Sequence, residues 1–216
     1  MRERVLPLCD LTWQIRRAGL PRGLWRVLRS AWVRLGRRMA SHQVTLVHVT
    51  ELASWPDYQP VPGVVARVGG PGDVDRLRDE LPPSLIRLFH WRLNRGQVFF
   101  VAEVEGKIGS YAWVATEADS HAARAHGLRL GPGECVHYGS VTLPRFRRRG
   151  LYTELQKLSR AHMRGLGYTR LYGGAVVGDP APERMAARLG LKPVHLNHER
   201  WRLGFLRTWT EPAPSL

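Results

Sequence analysis

Short apolar runs, each closed by glycine, proline or charged residues, dominate the first half of the chain and predict β-strands. These strands cover residues 44–51, 64–68, 98–103 and 108–115. Gly106 supplies the turn that makes a hairpin of the last two. Two helices, separated by a pair of prolines, are predicted between the second and third strands, over residues 73–81 and 84–94.

Helical periodicity and strand-like runs alternate in the second half of the chain. The elements predicted there are a strand over residues 135–143, a helix over 151–166, a strand over 169–177, a helix over 179–188, and strands over 192–195 and 199–209. Residues 116–133 are polar, contain histidines and end in glycine and proline, so we expect a loop or lid there. The alternation predicts an α/β (α+β) domain in which helices flank a central sheet.

The most informative stretch is residues 134–166, where a strand, a short basic loop and a helix follow one another. Pro144 closes the strand, and the arginine-rich loop of residues 147–150 leads into the helix. The first amides of a helix have no internal hydrogen-bond partners, and the helix dipole favours negative charge there. Because Gly150 allows close approach and the arginines raise the local potential, this stretch predicts an anion site suited to a pyrophosphate.

These residues resemble the signature loop of the GCN5-related N-acetyltransferases (GNATs). That loop runs V-x-P-x-x-R/Q-x-x-G-x-G/A and binds the pyrophosphate of acetyl-CoA. Pro144, Arg147 and Gly150 match the pattern, while Thr142 replaces its usual valine and Tyr152 stands where glycine or alanine is commoner. The resemblance implies that the loop holds the diphosphate of a coenzyme.

A second stretch, residues 179–191, is similar to a later GNAT motif, N-x-x-A-x-x-L-Y-x-x-L-G-F. The spacing is kept, but Asp179 stands for the asparagine and Ala186 for the tyrosine that is the family's common general acid. The resemblance extends over residues 62–207. It implies the GNAT fold, in which helices flank a mixed, mostly antiparallel central sheet with splayed strands.

The resemblance also implies a co-substrate and the residues that bind it. Acetyl-CoA, or another acyl-CoA, would place its pantetheine arm along the backbone of residues 141–143 and its pyrophosphate on the amides of residues 148–153. The implied cofactor-binding residues are Val141, Thr142, Leu143, Arg147, Arg148, Arg149, Gly150, Leu151, Tyr152, Thr153 and Asp179.

Acyl transfer to an amine needs a group that removes a proton from the ammonium. In several GNATs a glutamate on the strand before the loop has this role, and Glu134 is the residue nearest to that position. Glu134 shares strand parity with Tyr138, whereas His137 has the opposite parity, although a bulge of the kind usual in this strand could re-aim it. Imidazole has the better intrinsic pKa for a base near neutrality.

Glu134, His137 and Tyr138 are therefore the candidate catalytic residues, each with a packed or solvated structural role as the alternative. With Ala186 in the tyrosine position, Tyr138, Tyr152, Tyr172 or water would have to protonate the leaving thiolate. Cys135 has no paired base in the sequence, so we expect a small buried side chain there.

Cysteine and histidine usage gives no indication of a metal site. Cys9 and Cys135 lie far apart without metal-ligand spacing, which indicates a reducing compartment rather than a disulfide scaffold. The histidine pairs of residues 121–126 and 195–198 lack companion ligands, so we expect no metal.

Positive charge is concentrated at the start of the chain. The formal net charge is +15, and residues 1–40, with ten arginines and two acidic residues, contribute +8 of it. Helices predicted over residues 8–18 and 23–39 are basic and carry tryptophans, a pattern typical of a segment in an anionic membrane interface. The alternative is that their apolar face packs on the catalytic domain.

A nucleic-acid partner ranks below both alternatives, because no recognised binding motif accompanies the charge. The first forty residues contain no uninterrupted apolar run, so we expect neither a signal peptide nor a spanning helix there. A cytoplasmic location fits the sequence, with or without peripheral attachment to the inner face of the membrane. The oligomeric state stays open, a homodimer included.

Together these patterns predict three segments. They are a basic amphipathic helical extension over residues 1–60, a GNAT acyltransferase domain over 61–210 and a loose tail over 211–216. The predicted activity is transfer of an acetyl or other acyl group from acyl-CoA to a small-molecule amine, such as an amino sugar or a natural-product intermediate, by direct attack in a ternary complex. The alternatives are an acyl-CoA-binding protein without transferase activity and a membrane-docked acyltransferase acting on a lipid-linked intermediate.

Overall fold

The computed structural model describes residue 36, residues 39–118 and residues 120–213. The helix predicted over residues 8–18 lies outside this range, as does nearly all of the helix predicted over residues 23–39. The described chain forms two compact units. One contains residues 42–69, 97–200 and those from 207 onward, and the other contains residues 70–96, 201–206 and the described residues up to 41.

Eight strands of the described residues form a single sheet. They are β1 (Ala40–Glu51), β2 (Val65–Val68), β3 (Val98–Val104), β4 (Lys107–Ala115), β5 (Glu134–Thr142), β6 (Arg170–Val176), β7 (Lys192–Arg202) and β8 (Phe205–Pro212). Their order is β2-β3-β4-β5-β6-β1-β7-β8. β5 and β6 pair in parallel, whereas the pairs β2–β3, β3–β4, β4–β5 and β1–β6 are antiparallel. The predicted mixed, mostly antiparallel sheet is confirmed.

Five α-helices accompany the strands in the described part of the chain. They are α1 (Pro71–Arg76), α2 (Pro83–Asn94), α3 (His121–Ala125), α4 (Leu151–Gly165) and α5 (Pro180–Arg188). α1 is shorter than the helix predicted over residues 73–81. α3 lies where a loop was predicted, and the Ser120 hydroxyl caps it by accepting the Ala123 N–H at 3.0 Å. A helix of five residues is too short to show a periodic pattern in the sequence.

β1 lies inside the sheet, between β6 and β7. Its register with β6 runs from Thr45 opposite Val176 to Glu51 opposite Arg170, and Val47 is fully buried. A strand paired on both sides belongs to the domain that it completes, so the predicted boundary after residue 60 is wrong. The strand itself was predicted over residues 44–51, but its partner lies more than a hundred residues away and left no local signal.

The end of the chain also differs from the prediction. The strands predicted over residues 192–195 and 199–209 are a hairpin of β7 and β8, joined by Leu203 and Gly204 at φ values of 49° and 86°. Positive φ at both central residues is what a two-residue hairpin turn of type I′ requires. Because β8 extends to Pro212, the predicted tail over residues 211–216 begins too early.

The core of the sheet unit lies between the central strands and α4. Phe99, Phe100 and Trp113 are fully buried, and the rings of Phe99 and Trp113 stack with centroids 4.5 Å apart. Leu155 of α4 is fully buried as well, whereas Leu166, which directly follows this helix, is 57% exposed. The buried face of α4 also includes the polar residues Glu154, Gln156, Ser159 and Arg160.

In the other unit, α1 and α2 contact each other, and the side chains of Val74, Leu77, Ile86 and Phe89 are buried. Among the residues that the structure describes, no helix combines the length and the apolar character needed to cross a bilayer.

Candidate active site

The parallel strands β5 and β6 separate part of the way along their length. They pair only from Glu134 opposite Arg170 to Val136 opposite Tyr172. Beyond this point β5 continues beside β4 to Thr142, so its other edge has no partner there among the described strands. The resemblance implied splayed strands in the sheet, and the register shows them between β5 and β6. The gap gives a ligand access to strand backbone that would otherwise be paired.

A bulge in β5 lies inside the gap. The three residues of β4 from Tyr111 to Trp113 lie opposite four residues of β5, from Tyr138 to Val141, and Gly139 takes a φ of 61°. The extra residue reverses side-chain parity, so Ser140 comes to the same face as His137, and its Oγ lies 3.4 Å from His137 Nδ1. The bulge lies after His137 and re-aims Ser140 rather than the histidine.

The arginine loop and the start of α4 form a row of available backbone amides. Arg148 and Gly150 both have positive φ, 64° and 76°, and a Cβ on Gly150 would meet nothing within 4 Å. The first helical bond runs from the Glu154 N–H to the Gly150 oxygen at 3.1 Å. The amides of residues 151–153 therefore have no partner within the helix, and three exposed arginines precede them. This arrangement fits a diphosphate.

The gap and the loop line one cavity of about 920 Å³. Its lining includes residues 137–142 of β5, residues 146–153 of the loop and helix start, and residues 173–175 of β6. Asp179, Met185 and Ala186 line it as well. The residues that sequence reasoning assigned to the coenzyme thus come together, with one exception.

The exception is Leu143, which does not line the cavity. It is buried, and its N–H donates to the Gly109 oxygen at 2.9 Å. The predicted contact of this amide with the pantetheine arm is therefore wrong. Because successive amides of a strand point to opposite edges, the Thr142 N–H points away from β4 and toward the gap.

Glu134 is held outside the cavity. Its carboxylate accepts the Gly131 N–H at 2.8 Å, the Tyr172 hydroxyl at 3.0 Å and Arg170 at 3.4 Å. The Gly131 hydrogen bond is the largest cause that lowers the pKa of Glu134, followed by the tyrosine and the arginine. The structure thus places Glu134 in a structural role at the start of β5, with Tyr172 beside it and away from the cavity.

His137 lines the cavity but is poorly suited to accept a proton. It is buried, and burial, followed by the charges of Arg160 and His126, lowers its pKa to about 3. The Gln156 oxygen accepts from Arg160 at 2.5 Å, which leaves the Gln156 nitrogen 3.4 Å from His137 Nδ1. An amide nitrogen only donates, so Nδ1 accepts and the ring proton lies on Nε2, which has no partner among the described residues.

Two of the candidate tyrosines line the cavity. Tyr138 donates its hydroxyl hydrogen to the side-chain oxygen of Gln97. Burial raises the pKa of Tyr152, so its phenol keeps its proton at neutral pH and remains able to donate it. Tyr172 is not part of the lining, because its hydroxyl is bonded to Glu134.

Arg160 and Gln156 are site residues that the sequence reasoning missed. Both are buried on α4 and line the cavity. The available signal was the polar row Tyr152, Gln156 and Arg160, spaced four residues apart on one face of a helix.

Cys135 is buried, and burial raises the pKa of its thiol to about 12, which makes it a poor nucleophile. Within the described ranges, no group of three or more His, Cys, Asp and Glu side chains is placed to hold a metal ion.

Comparisons with known proteins identify the fold. No protein-family model and no curated protein matches the sequence. Among solved structures, a GNAT-family protein from Novosphingobium aromaticivorans matches with a TM-score of 0.53 and 18% identity, over 73% of this chain and 63% of that one. A GCN5-related N-acetyltransferase from Sphaerobacter thermophilus matches with a TM-score of 0.53 and 16% identity, over 82% of this chain and 58% of that one.

The third similar structure is a GCN5-related glucosamine N-acetyltransferase region of a fungal multi-domain β-N-acetylglucosaminidase. It matches with a TM-score of 0.56 and 13% identity, over 84% of this chain and 23% of that one. The chain thus spans less than two thirds of the length of each of these relatives. The sheet order, the separating strands β5 and β6 and these matches agree, and the chain has the fold of the GCN5-related N-acetyltransferases.

Proposed function

We propose that the protein is an N-acyltransferase that moves an acetyl or other acyl group from acyl-CoA to the amine of a small molecule. The observation that carries the proposal is a single cavity that joins the gap between β5 and β6 to the amide row at the start of α4. The amide row and the loop arginines fit the diphosphate of CoA, and the gap fits its extended arm. The fold of the similar structures supports the same assignment.

Acyl-CoA would supply an activated acyl group as a thioester, and the chain would supply placement and charge stabilisation. Amides of residues 148–153, with Arg147 and Asp179 nearby, would hold the coenzyme, and the Thr142 N–H would bind its arm. Holding two reactants in place is a large part of what acyl transfer requires. The Tyr152 phenol, protonated and on the cavity wall, is the donor that we assign to the leaving thiolate.

Isothermal titration tests this function. CoA and acetyl-CoA should bind with dissociation constants of roughly 1 µM to 1 mM, the range of ordinary enzyme substrates. Arg149→Glu combined with Gly150→Asp puts negative charge into the amide row and should weaken binding at least roughly a hundredfold. Arg145→Glu is the matched control, because Arg145 lies two residues before the loop, is exposed and does not line the cavity. No binding of CoA by the natural chain would contradict the proposal.

A second candidate function is acyl-CoA binding without transfer. It is favoured by the positions of the two predicted bases. Glu134 lies outside the cavity, and His137 is neutral with its proton on Nε2. Ala186 in the tyrosine position agrees with it. Release of free thiol from acetyl-CoA across a broad panel of amines would establish transfer. CoA binding without thiol release would establish the binding function instead.

The basic segment of residues 8–39 supports an extension of the proposal, in which the protein is cytoplasmic and docks on the inner face of the membrane. A lipid-linked amine would then be accessible as the acceptor. Sedimentation of the full chain with anionic vesicles tests this extension of the proposal. Failure to sediment at low salt would leave a small-molecule amine as the acceptor. Sedimentation equilibrium of the same sample would show whether the protein is a homodimer.

A further inference from the structure

Arg160 is a buried cation whose partners among the described residues are all neutral. Its side chain is 2% exposed, and burial lowers its pKa only to about 10, so the guanidinium is charged at neutral pH. Nε donates to Thr50 Oγ1 at 3.1 Å, and Nη1 donates to the backbone and side-chain oxygens of Gln156 at 3.0 and 2.5 Å. The guanidinium carbon lies 5.2 Å from the centre of the Trp55 ring. None of these contacts compensates the charge.

The groups around Arg160 do not compensate its charge either. Burial and then the Arg160 charge lower the pKa of His48, and the same two causes act first on His137, so both rings are neutral. Burial raises the pKa of Cys135 and of Tyr152, so both stay protonated. Among the described residues, no carboxylate forms an ion pair with Arg160. A buried charge without a counter-charge is destabilising, which indicates a partner beyond the described residues, and a ligand in the cavity is such a partner.

Arg160 also has hydrogen-bond donors that no described residue uses. Its Nη2 has no hydrogen-bond partner within the described ranges, which leaves two N–H groups for a ligand. Arg160 lines the same cavity as the arginine loop, but the loop arginines are exposed and Arg160 is buried. The two positive regions therefore lie at the outer and the inner end of one cavity. The loop fits a diphosphate, and a second anion is needed for Arg160.

We infer that Arg160 is the anchor of a carboxylate subsite at the inner end of the cavity. The inference rests on the proposed function and narrows its substrate class, because the substrate then carries a carboxylate besides the groups that react. A carboxylate accepts the Nη2 hydrogens in a charge-assisted hydrogen bond and neutralises the guanidinium. The carboxylate belongs either to the acyl chain of the CoA thioester or to the amine acceptor, and the two sources are separated by experiment.

The donor arm of the test compares two CoA thioesters with acyl chains of equal length. Succinyl-CoA ends in a carboxylate, whereas butyryl-CoA ends in a methyl group. Isothermal titration of the full chain should show succinyl-CoA binding at least about tenfold more tightly if the acyl chain carries the carboxylate. In Arg160→Met the ratio should fall to about one, mainly through weaker binding of succinyl-CoA.

The acceptor arm is measured on the full chain saturated with unacylated CoA. A panel of amino acids is titrated against the matching amino acid amides, which lack only the carboxylate. If the acceptor carries the carboxylate, an acid in the panel should bind at least about tenfold more tightly than its amide. This preference should also be lost in Arg160→Met.

Arg164→Met is the charge control for both arms, because Arg164 is on the same helix, one turn further on, and does not line the cavity. It should keep whichever preference the natural chain shows. Arg160→Lys keeps the charge and should keep part of the preference. This variant replaces Arg160→Met in the test if the methionine variant fails to fold. The comparisons on the natural chain need no variant.

Three outcomes would overturn the inference. In the first, CoA binds but neither arm shows a preference for the carboxylate. In the second, a preference is present but survives in Arg160→Met. In the third, unacylated CoA itself fails to bind, which overturns the proposed function and removes the basis of the subsite with it. The titration of unacylated CoA thus separates failure of the function from failure of the subsite.

Discussion

Gly150 joins the arginine loop to α4 at a φ of 76°, a conformation that costs an L-residue about 1–2 kcal/mol. Gly150→Ala should therefore lower the free energy of unfolding by about 1 kcal/mol, without any clash, since the space around its Cβ is empty. The methyl group would also lie at the amide row and should weaken CoA binding. Urea denaturation and isothermal titration measure the two effects.

Gly165→Ala is the matched control for that substitution. Gly165 ends α4 without positive φ, and its Cβ would also meet nothing within 4 Å. Alanine there should raise the free energy of unfolding by up to about 1 kcal/mol and leave CoA binding unchanged. Equal destabilisation by both substitutions would show that the loop conformation has no special role.

His137 should make the protein less stable as the pH falls. Its pKa is about 3 in the folded chain, below the ordinary value of 6.5, so between these values only the unfolded chain binds the proton. Above pH 6.5 the ring is neutral in both states, and its contribution to the free energy of unfolding is complete. Below pH 6.5 the free energy of unfolding falls by about 1.4 kcal/mol for each pH unit. Between pH 7.5 and 5, the natural chain should lose roughly 2 kcal/mol more than His137→Gln.

Urea unfolding at a series of pH values measures this difference. His48 and His126 also have lowered pKa values, and they remain in the variant, so subtracting the two curves isolates His137. Parallel curves for the natural chain and the variant would mean that His137 titrates near its ordinary value in the folded protein.

At the scale of elements, α4 connects the site to the core. Leu155 is fully buried on the face that packs on the sheet, whereas Leu166, just after the helix, is 57% exposed. Leu155→Ala should lower the free energy of unfolding by roughly 2–5 kcal/mol. Leu166→Ala, with the same change in side chain, should stay within about 0.5 kcal/mol of the natural chain. Urea denaturation measures the free energy of unfolding of both variants. Similar losses in the two variants would refute this orientation of α4.

The loop and helix start could be predicted from the sequence because their signals are local. Pro144, the arginines and Gly150 act within a few residues of one another, and the unpaired amides follow from the helix itself. Arg160 could not be predicted as a site residue, because its burial depends on how α4 is rotated against the sheet. The same holds for Glu134, whose partners Arg170 and Tyr172 come from β6.

At the scale of the whole molecule, the sheet depends on β1, which lies more than a hundred residues before its partner β6 in the sequence. Local patterns predicted β1 as a strand, but periodicity carries no information on which strands it pairs with. The prolines of residues 56–62 are typical of a linker, and they are the reason why the sequence predicts an extension that ends at residue 60. In the structure, these residues follow a strand of the sheet interior rather than separating two domains.

A chain that starts at residue 61, the predicted boundary, should therefore fail to fold. Without β1, the facing edges of β6 and β7 lose their hydrogen bonds, and the groups that pack on Val47 and Leu52 are exposed. Such a loss is large against the roughly 5–15 kcal/mol that stabilises an ordinary domain. A chain that starts at residue 39 keeps β1 and should retain cooperative urea unfolding and CoA binding. If the shorter chain also unfolds cooperatively and binds CoA, then β1 is dispensable and the boundary belongs at residue 61 after all.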